Sequence, residues 1–434
     1  MGKFSDSANE LAGMGSAAAL LTFSFYIFNF LCTVTTPLVA SKRSSGNEKE
    51  AIAVGGQALS LALGLGGILT ASLLAFQGPL LQIMGTGASG EEANGYAMSF
   101  LSIRALAAPA VFGISASTGV LRGYLDTKTP IYILVFANVI NLLLDVALIV
   151  YAHMGPAGAA IATTTAEWTS AILFLGVLSG KLPSADGQLG RRSDDDVRET
   201  ISITPALSIP PWEEVKPLIV ASSSVFFRSL VLQISLSAAA AFAARGGETV
   251  PGGAAASIAA HQIAIQLWLL CSFTADALAA ASQGLVADAL GRQDQDDVRD
   301  VSKTVFRYSA ILGVALAALL QIGYLTNFVL DLFTSDTGTK LALSQILTLI
   351  VLAQPLNSLV FAADGVLQGA SEFPFQAKSM ALSGATAAVT FYALQSTNSA
   401  DTMVHVWIAL LALQLMRGLT SLVKLFDPAG PIKL

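Results

Sequence analysis

Long apolar runs recur along the whole chain, separated by short polar stretches. About 20 apolar residues let a helix cross a bilayer. On that basis the pattern predicts eleven spanning helices, at roughly 16–40, 51–77, 97–121, 130–152, 156–180, 213–243, 255–287, 304–333, 340–369, 374–396 and 402–425. A membrane-spanning strand series would show short alternating segments instead, so helices are the reading. Gly, Ala and Ser are dense throughout, which lets helix backbones approach closely. The expected fold class is an all-α polytopic membrane protein built from helical-bundle lobes.

The pattern also repeats. From Pro109 the chain reads PAVFGISASTGVLRGYLDTKTP, and from Pro355 it reads PLNSLVFAADGVLQGASEFPF. Each proline precedes a Gly-Val-Leu-x-Gly exit by ten residues, Gly119 to Gly123 and Gly365 to Gly369, at an offset of 246. Thr36 to Ala40 likewise matches Gln283 to Ala287 at an offset of 247, and a polar turn follows each. Matched positions fall on the same membrane side, so two parallel repeats are expected. The implied domains are an N-terminal lobe at 1–180, a linker at 181–212 containing Pro210 and Pro211, and a C-terminal lobe at 213–434. Five helices fall in the first repeat and six in the second. A six-plus-six arrangement is expected, with a further helix upstream of Met1.

Charge sharpens the topology. Charged residues make up only 12% of the chain and hydrophobic ones 54%, against about 25% charged in a soluble domain. Eighteen Lys and Arg fall in 41–50, 122–130, 181–216, 288–307, 370–378 and the region from Arg417 onward. The intervening loops hold only Arg245 and Lys340. The positive-inside rule makes the first set cytoplasmic and residues 1–15 external. No cleavable signal peptide is visible. Cys32 and Cys271 lie in apolar runs, and His153, His261 and His405 lack ligand spacing, so neither a disulfide framework nor a metal cluster is expected. The two Gly-x-x-x-Gly pairs lack the Lys and Ser/Thr of a phosphate loop and read as helix packing. Thr129 and Pro130 read as the cap and first turn of a helix.

The order Gly119-Val-Leu-Arg-Gly-x-x-Asp-Thr-Lys-Thr-Pro130, then Asn138, Asn141 and Asp145, then Gly155-Pro-Ala-Gly-Ala-Ala-Ile-Ala-Thr163, resembles the MATE (multidrug and toxic compound extrusion) family. The second half, with Ala259-Ala-His-Gln262, Gln266-Leu-Trp268 and Asp276-Ala-Leu-Ala-Ala-Ala-Ser-Gln283, is similar to its DinF-like branch. That branch includes plant citrate and phenolic-acid exporters, some of them in plastid envelopes. The resemblance covers nearly the whole chain. It implies two six-helix lobes, alternating access and export driven by H⁺ or Na⁺. In that branch the first helix supplies an aspartate to the ion site, and that helix is the one not found here.

Polar residues inside apolar runs are the site candidates. Asn141 and Asp145 share a helix face at i, i+4. Asp145 and Thr163 each lie nine residues from the turn at Met154, about 13 Å deep at 1.5 Å per residue. Carboxylate, amide and hydroxyl oxygens suffice for a proton or Na⁺, and all three positions match the ion site that the resemblance implies. A hydrogen-bond cluster joining two helices is the structural alternative. Arg228 and Asp276 are expected to pair across a hairpin, with a substrate-anion contact as the other use of Arg228. Arg104 and Glu167 form a similar possible pair. Asp364 stands where the first repeat has Thr118, as a solvated carboxylate or a coupling site. His261 reads as a packed residue.

The function these features indicate is a secondary antiporter. It would export a small organic solute (an organic acid, a phenolic or a cationic drug-like compound) in exchange for H⁺ or Na⁺ through a central cleft. A lipid-linked precursor flippase is the alternative within the same superfamily. An intramembrane enzyme would need a clustered nucleophile, base or metal set, which the scattered histidines and cysteines do not supply. No cofactor beyond the coupling ion, no resident metal beyond Na⁺ and no nucleic-acid partner are expected. The partners are the solute and the bilayer, the state a monomer, and the membrane plasma, plastid or vacuolar.

Overall fold

The computed structural model describes residues 8–28, 30–83, 91–185, 201–206, 212–245, 253–397 and 402–434. Most of the expected linker, including Arg191, Arg192, Arg198, Pro210 and Pro211, lies outside the described residues. The chain divides into two compact units, Met1–Ser222 and Ser223–Leu434.

The first unit contains α1 (Ala8–Ile27), α2 (Phe30–Ser44), α3 (Glu48–Ala75), α4 (Gln77–Ile83), α5 (Glu91–Ala105), α6 (Ala108–Gly123), α7 (Lys128–Asp145) and α8 (Gly155–Leu178). A π-helical segment, Val146–Tyr151, continues α7. The unit boundary falls within α9 (Trp212–Arg245). The second unit continues with α10 (Gly253–Gly291), α11 (Gln295–Leu325), α12 (Phe328–Phe333), α13 (Thr337–Gly369), α14 (Phe373–Thr397) and α15 (Thr402–Leu425). Leu73, Leu81, Phe100, Leu101 and Ala160 form a core in the first unit. Leu267, Ile346, Leu347, Ile350 and Trp407 form one in the second.

Among the described residues, nine stretches are long and apolar enough to cross a membrane, and the bent pair Asn94–Ala105 and Ala108–Gly123 makes a tenth if its two helices count as one span. Eleven were expected. The eleventh is α14, which at 25 residues has the length. Its apolarity is diluted by Gln376, Ser379, Ser383 and Thr386. The last two hydroxyls donate back to their own helix, to the Ser379 and Leu382 carbonyls, so they do not need water. Another difference is the start of α11. Asp294 accepts from the Asp297 backbone N–H at 3.0 Å, and this cap extends the helix nine residues beyond the expected start, through a polar first turn.

The repeat reappears as atomic contacts. A methyl on Gly66 of α3 would strike the Pro109 backbone, and one on Gly313 of α11 would lie 2.6 Å from the Pro355 Cα. Gly119 of α6 faces Cys32 and Thr35 of α2, and Gly365 of α13 faces Ala279 and Ser282 of α10. Gly123 faces Thr36 and Val39, and Gly369 faces Gln283 and Val286. Each pair of partners is related by the sequence offset of the repeat. The Gly-x-x-x-Gly motifs therefore bring backbones into contact, the packing that small residues permit within a bilayer.

Each unit also closes one end with a non-helical segment. The Ile203 N–H donates to the Leu178 carbonyl at 2.7 Å, and Ser60 donates to the Ala206 carbonyl at 2.9 Å. Ile203 is fully buried beside Gly55 and Val120. In the second unit the Leu434 N–H donates to the Leu425 carbonyl at 3.1 Å, and Ile432 is fully buried against Val286, Val366 and Leu367. Residues 201–206, expected to be linker, are thus part of the first unit's packing.

Local chemistry sets the helix ends. The cap of α7 is Asp126, not Thr129. Its carboxylate accepts from the Thr129 N–H at 2.9 Å and from the Thr129 hydroxyl at 2.6 Å. At the same end of the unit the Tyr124 hydroxyl donates to Glu48 at 2.5 Å, and burial followed by that carboxylate pushes the phenol well above its usual range. Asp336 caps α13, and the Thr339 N–H holds its carboxyl below the usual carboxylate range.

The glycine contacts generate a paired test. Gly66→Ala must displace backbone, whereas the neighbouring Gly67 has nothing within 4 Å of an added Cβ. Overpacking of this kind costs about 1–3 kcal/mol. Gly66→Ala is expected to lower the unfolding midpoint in detergent and Gly67→Ala to leave it unchanged; equal midpoints would contradict the packing.

Candidate functional site

Two candidate regions lie in the first unit, and each sits at an irregularity of the backbone. The first is the break between α5 and α6, a bend of 44°. Pro109 follows it, and proline removes one backbone donor and disfavours helix in the residue before it. A break inside a bilayer leaves carbonyls that water does not reach. Here side chains from other helices take them up. Thr70 of α3 donates to the Ala105 carbonyl at 2.7 Å, and the Trp168 indole N–H donates to the Leu106 carbonyl at 3.1 Å. Thr164 is 3.5 Å from the Ile103 carbonyl.

Arg104 emerges beside this break, in the last turn of α5. It is 9% exposed. Its guanidinium makes a two-armed pair with Glu167 of α8, one arm at 2.9 Å, and lies over the Phe25 ring at 5.8 Å. The expected Arg104–Glu167 pair is thus present. Fork-to-carboxylate geometry fixes both side chains in orientation as well as in charge.

The second irregularity follows Asp145, where α7 passes into the π segment. Single π turns inside helices recur at functional sites. Asn141 and Asp145 are half-buried on α7, one turn apart. The Asn141 Oδ1 is buried without a hydrogen-bond partner. Thr163 lies on α8, which packs against α7. Its hydroxyl donates to the Ala159 carbonyl at 2.9 Å, which leaves its oxygen lone pairs as acceptors. The wider π turn advances less per residue, so Asp145 lies nearer the 152–154 turn than a regular α-helical count gives.

The second unit carries a larger polar network. Asp364 of α13, 4% exposed, receives both Arg228 of α9 and Arg417 of α15. Gln376 of α14 donates to the Asp364 carboxylate at 3.3 Å and to its carbonyl at 3.1 Å. From Arg417 the network runs to Gln414 at 3.1 Å, then from Gln414 to Asn357 at 2.7 Å, and from Asn357 to Ser272 of α10 at 3.1 Å. It ties together α9, α10, α13, α14 and α15. Arg228 pairs with Asp364, and Asp276, its expected partner, lies exposed on α10. Arg417 corrects the charge count. It was counted with the basic C-terminal region, yet it is 5% exposed inside the bundle. A signal was present in the sequence: Gln354, Asn357 and Asp364, and likewise Gln414, Arg417 and Ser421, fall at helical spacing on one face.

With two guanidiniums already on its carboxylate, Asp364 is poorly placed to attract a further cation. Asn141 instead offers a buried amide oxygen without a hydrogen-bond partner, one turn from Asp145, an oxygen donor of the kind a proton or Na⁺ takes.

Comparison with known proteins agrees with this architecture. The sequence profile of the MatE family matches residues 1–147 and 252–392, one segment in each repeat. The chain belongs to the MatE family. Protein DETOXIFICATION 45, chloroplastic, of Arabidopsis thaliana is 30% identical over 86% of this chain and 61% of its own length. Protein DETOXIFICATION 43 of the same plant is 31% identical over 84% of this chain and 63% of its own length. The chain therefore spans less than two thirds of these relatives. DNA damage-inducible protein F of Escherichia coli (strain K12) is 27% identical over 96% of this chain and 84% of its own. The crystal structure of MATE in the bent conformation superposes with a TM-score of 0.80 at 18% identity, covering 96% of this chain and 86% of that one. The fold is that of MATE transporters, and the protein is an integral multi-pass membrane protein.

The Asp364 cluster predicts an asymmetry. Arg228→Gln leaves Asp364 with Arg417, whereas Asp364→Asn leaves two arginines facing a neutral amide. Removing one partner of a buried pair costs about 3–5 kcal/mol. Thermal unfolding in detergent is expected to show the larger loss for Asp364→Asn; an equal or reversed loss would contradict the shared-carboxylate geometry.

Proposed function

We propose that this MATE-family chain serves as a secondary active exporter of a small organic solute, exchanged for H⁺ or Na⁺ by alternating access. Asp145 carries the coupling cation, with Asn141 and Thr163 as neutral oxygen ligands. Arg104 and Glu167 flank the solute path at the broken helix. What supports the ion assignment is the buried, unpartnered Asn141 oxygen one turn from Asp145, where the helix changes its pitch. What supports the solute path is a helix broken within its membrane span, the feature around which transporters build midplane sites. The solute is an organic acid, a phenolic or a lipophilic cation. The membrane is a plasma or organelle membrane, and the chloroplastic relatives favour an organelle envelope. The flippase alternative gains no support from the two arginines it would use, since Arg104 and Arg228 each hold a carboxylate.

The test uses proteoliposomes loaded with citrate, a phenolic acid or a cationic dye, under separate pH and Na⁺ gradients. Asp145→Asn keeps hydrogen-bonding capacity and removes the charge. It is expected to abolish gradient-driven efflux while insertion and folding persist. Asn141→Ala and Thr163→Ala are expected to weaken coupling less, because each removes a neutral ligand. Native driven efflux by Asp145→Asn would overturn the ion assignment.

A further inference from the structure

Residues 201–206 pack on the first unit without forming a helix. Pro205 brings no N–H and disfavours helix at Thr204 before it. Three hydrogen bonds hold the segment. The Ile203 N–H donates to the Leu178 carbonyl at 2.7 Å, one of the carbonyls that the end of α8 leaves without a helical donor. The Ala206 N–H donates to the Gly56 carbonyl at 3.2 Å, and the Ser60 hydroxyl to the Ala206 carbonyl at 2.9 Å. Ile203 is fully buried, while Ser202 and Thr204 on either side of it are exposed.

Two adjacent glycines of α3 make room for it. A methyl on Gly55 would lie 3.0 Å from the Ile203 side chain, and one on Gly56 would lie 2.7 Å from the Thr204 carbonyl oxygen. Glycine weakens a helix interior relative to alanine, so the pair needs a compensating contact, and the segment supplies it. The repeat provides the comparison. At the counterparts of Gly55 and Gly56, α11 carries Ser302 and Lys303. There the returning chain is tied to the Leu425 carbonyl, 247 residues after Leu178. Ile432 shares a core cluster with Val366, the counterpart of the Val120 that lies beside Ile203. Both units dock an isoleucine at one place. In the first, with its glycine pair, the chain then leads on to α9.

This docking sets a length. From Ala206 to Trp212, the first residue of α9, only residues 207–211 intervene. Fully extended, they let the two ends part by about 20 Å at most. Without the docked segment the nearest upstream anchor is Ala185, whose N–H donates to the Thr129 hydroxyl at 2.7 Å. The chain from there to Trp212 could reach about 90 Å.

We propose that residues 201–206 are a strap that anchors the entry of α9 to the first unit, with Ile203 as its peg and Gly55 and Gly56 as its seat. Under the exporter reading the strap limits how far the entry of α9 moves during the cycle; the distances below test the strap whether or not that reading holds.

The test places spin labels on the full chain in nanodiscs, with the buried Cys32 and Cys271 replaced by alanine. Pulsed electron spin resonance reads two distances from Lys49→Cys in α3, one to Ser202→Cys in the strap and one to Lys216→Cys in α9. All of these positions are exposed. With the strap intact both distance distributions are expected to be narrow. Ile203→Ser is expected to broaden both by about twofold or more. Gly56→Ala, which favours the helix and displaces the Thr204 carbonyl, is expected to do the same and serves where Ile203→Ser fails to fold. Insertion of about ten Gly and Ser residues between Ser208 and Ile209 leaves the strap docked and is expected to broaden the Lys216 distance alone. A Lys216 distance that stays narrow after release of the strap or after the insertion would overturn the proposal, since α9 would then be held by contacts of its own. A strap distance already broad in the unaltered background would overturn it equally.

Discussion

Backbone carbonyls in hydrocarbon must be paired, and this structure depends on how that requirement is met where a helix stops. Everywhere else the requirement makes helices. Between α5 and α6 it makes a break that other helices cap. The carbonyls of Ala105 and Leu106 are taken by Thr70 and Trp168, from helices on either side in sequence. Those two hydrogen bonds fix α3 and α8 to the break. The break in turn delivers Arg104 to Glu167, whose helix also supplies Trp168. Each unmet hydrogen bond of this kind would cost about 1–3 kcal/mol, so the break persists only because its neighbours hold it.

The two units share one frame and use it differently. Glycines at matched positions press α6 onto α2 and α13 onto α10, and a matched glycine meets each proline. Yet α13 runs unbroken through Pro355, whereas Pro109 stands just after a break. Polar chemistry follows the same division. In the first unit a basic residue on α5 pairs with an acidic one on α8. In the second an acidic residue on α13 pairs with a basic one on α15, Gln376, Gln414, Asn357 and Ser272 join it, and α9 is tied in through Arg228. The frame is repeated because close helix contact tolerates no side chain. The charges are free to differ because they only need partners.

The frame was legible in the sequence because its signals are local. Gly-x-x-x-Gly at a fixed distance from proline states which face must approach another backbone, and the offset states the repeat. Arg104 with Glu167 was legible for a similar reason, since a lone charge in an apolar run must find an opposite one. The break was not. Pro109 and Pro355 look alike over ten residues, and what separates them is Thr70, about forty residues upstream, and Trp168, about sixty downstream, reaching the freed carbonyls. Arg417 was missed because a basic residue near the end of a helix reads as a loop charge until its partner on α13, Asp364, is seen. Ile203 and Ile432 were missed because a single isoleucine in a polar stretch carries no periodicity.

The central claim is that the capped break in the first unit is a working part of the transport path. Thr70→Val combined with Trp168→Phe keeps the shapes of both side chains close to native and strips the hydrogen bonds from the break. Gradient-driven efflux by this double variant in proteoliposomes is the measurement that bears on it most directly. The account predicts protein that inserts and folds but whose driven efflux falls by about tenfold or more, the consequence of about 1.4 kcal/mol lost from the competent conformation. Efflux at the native rate, with both carbonyls left without their side-chain partners, would contradict it.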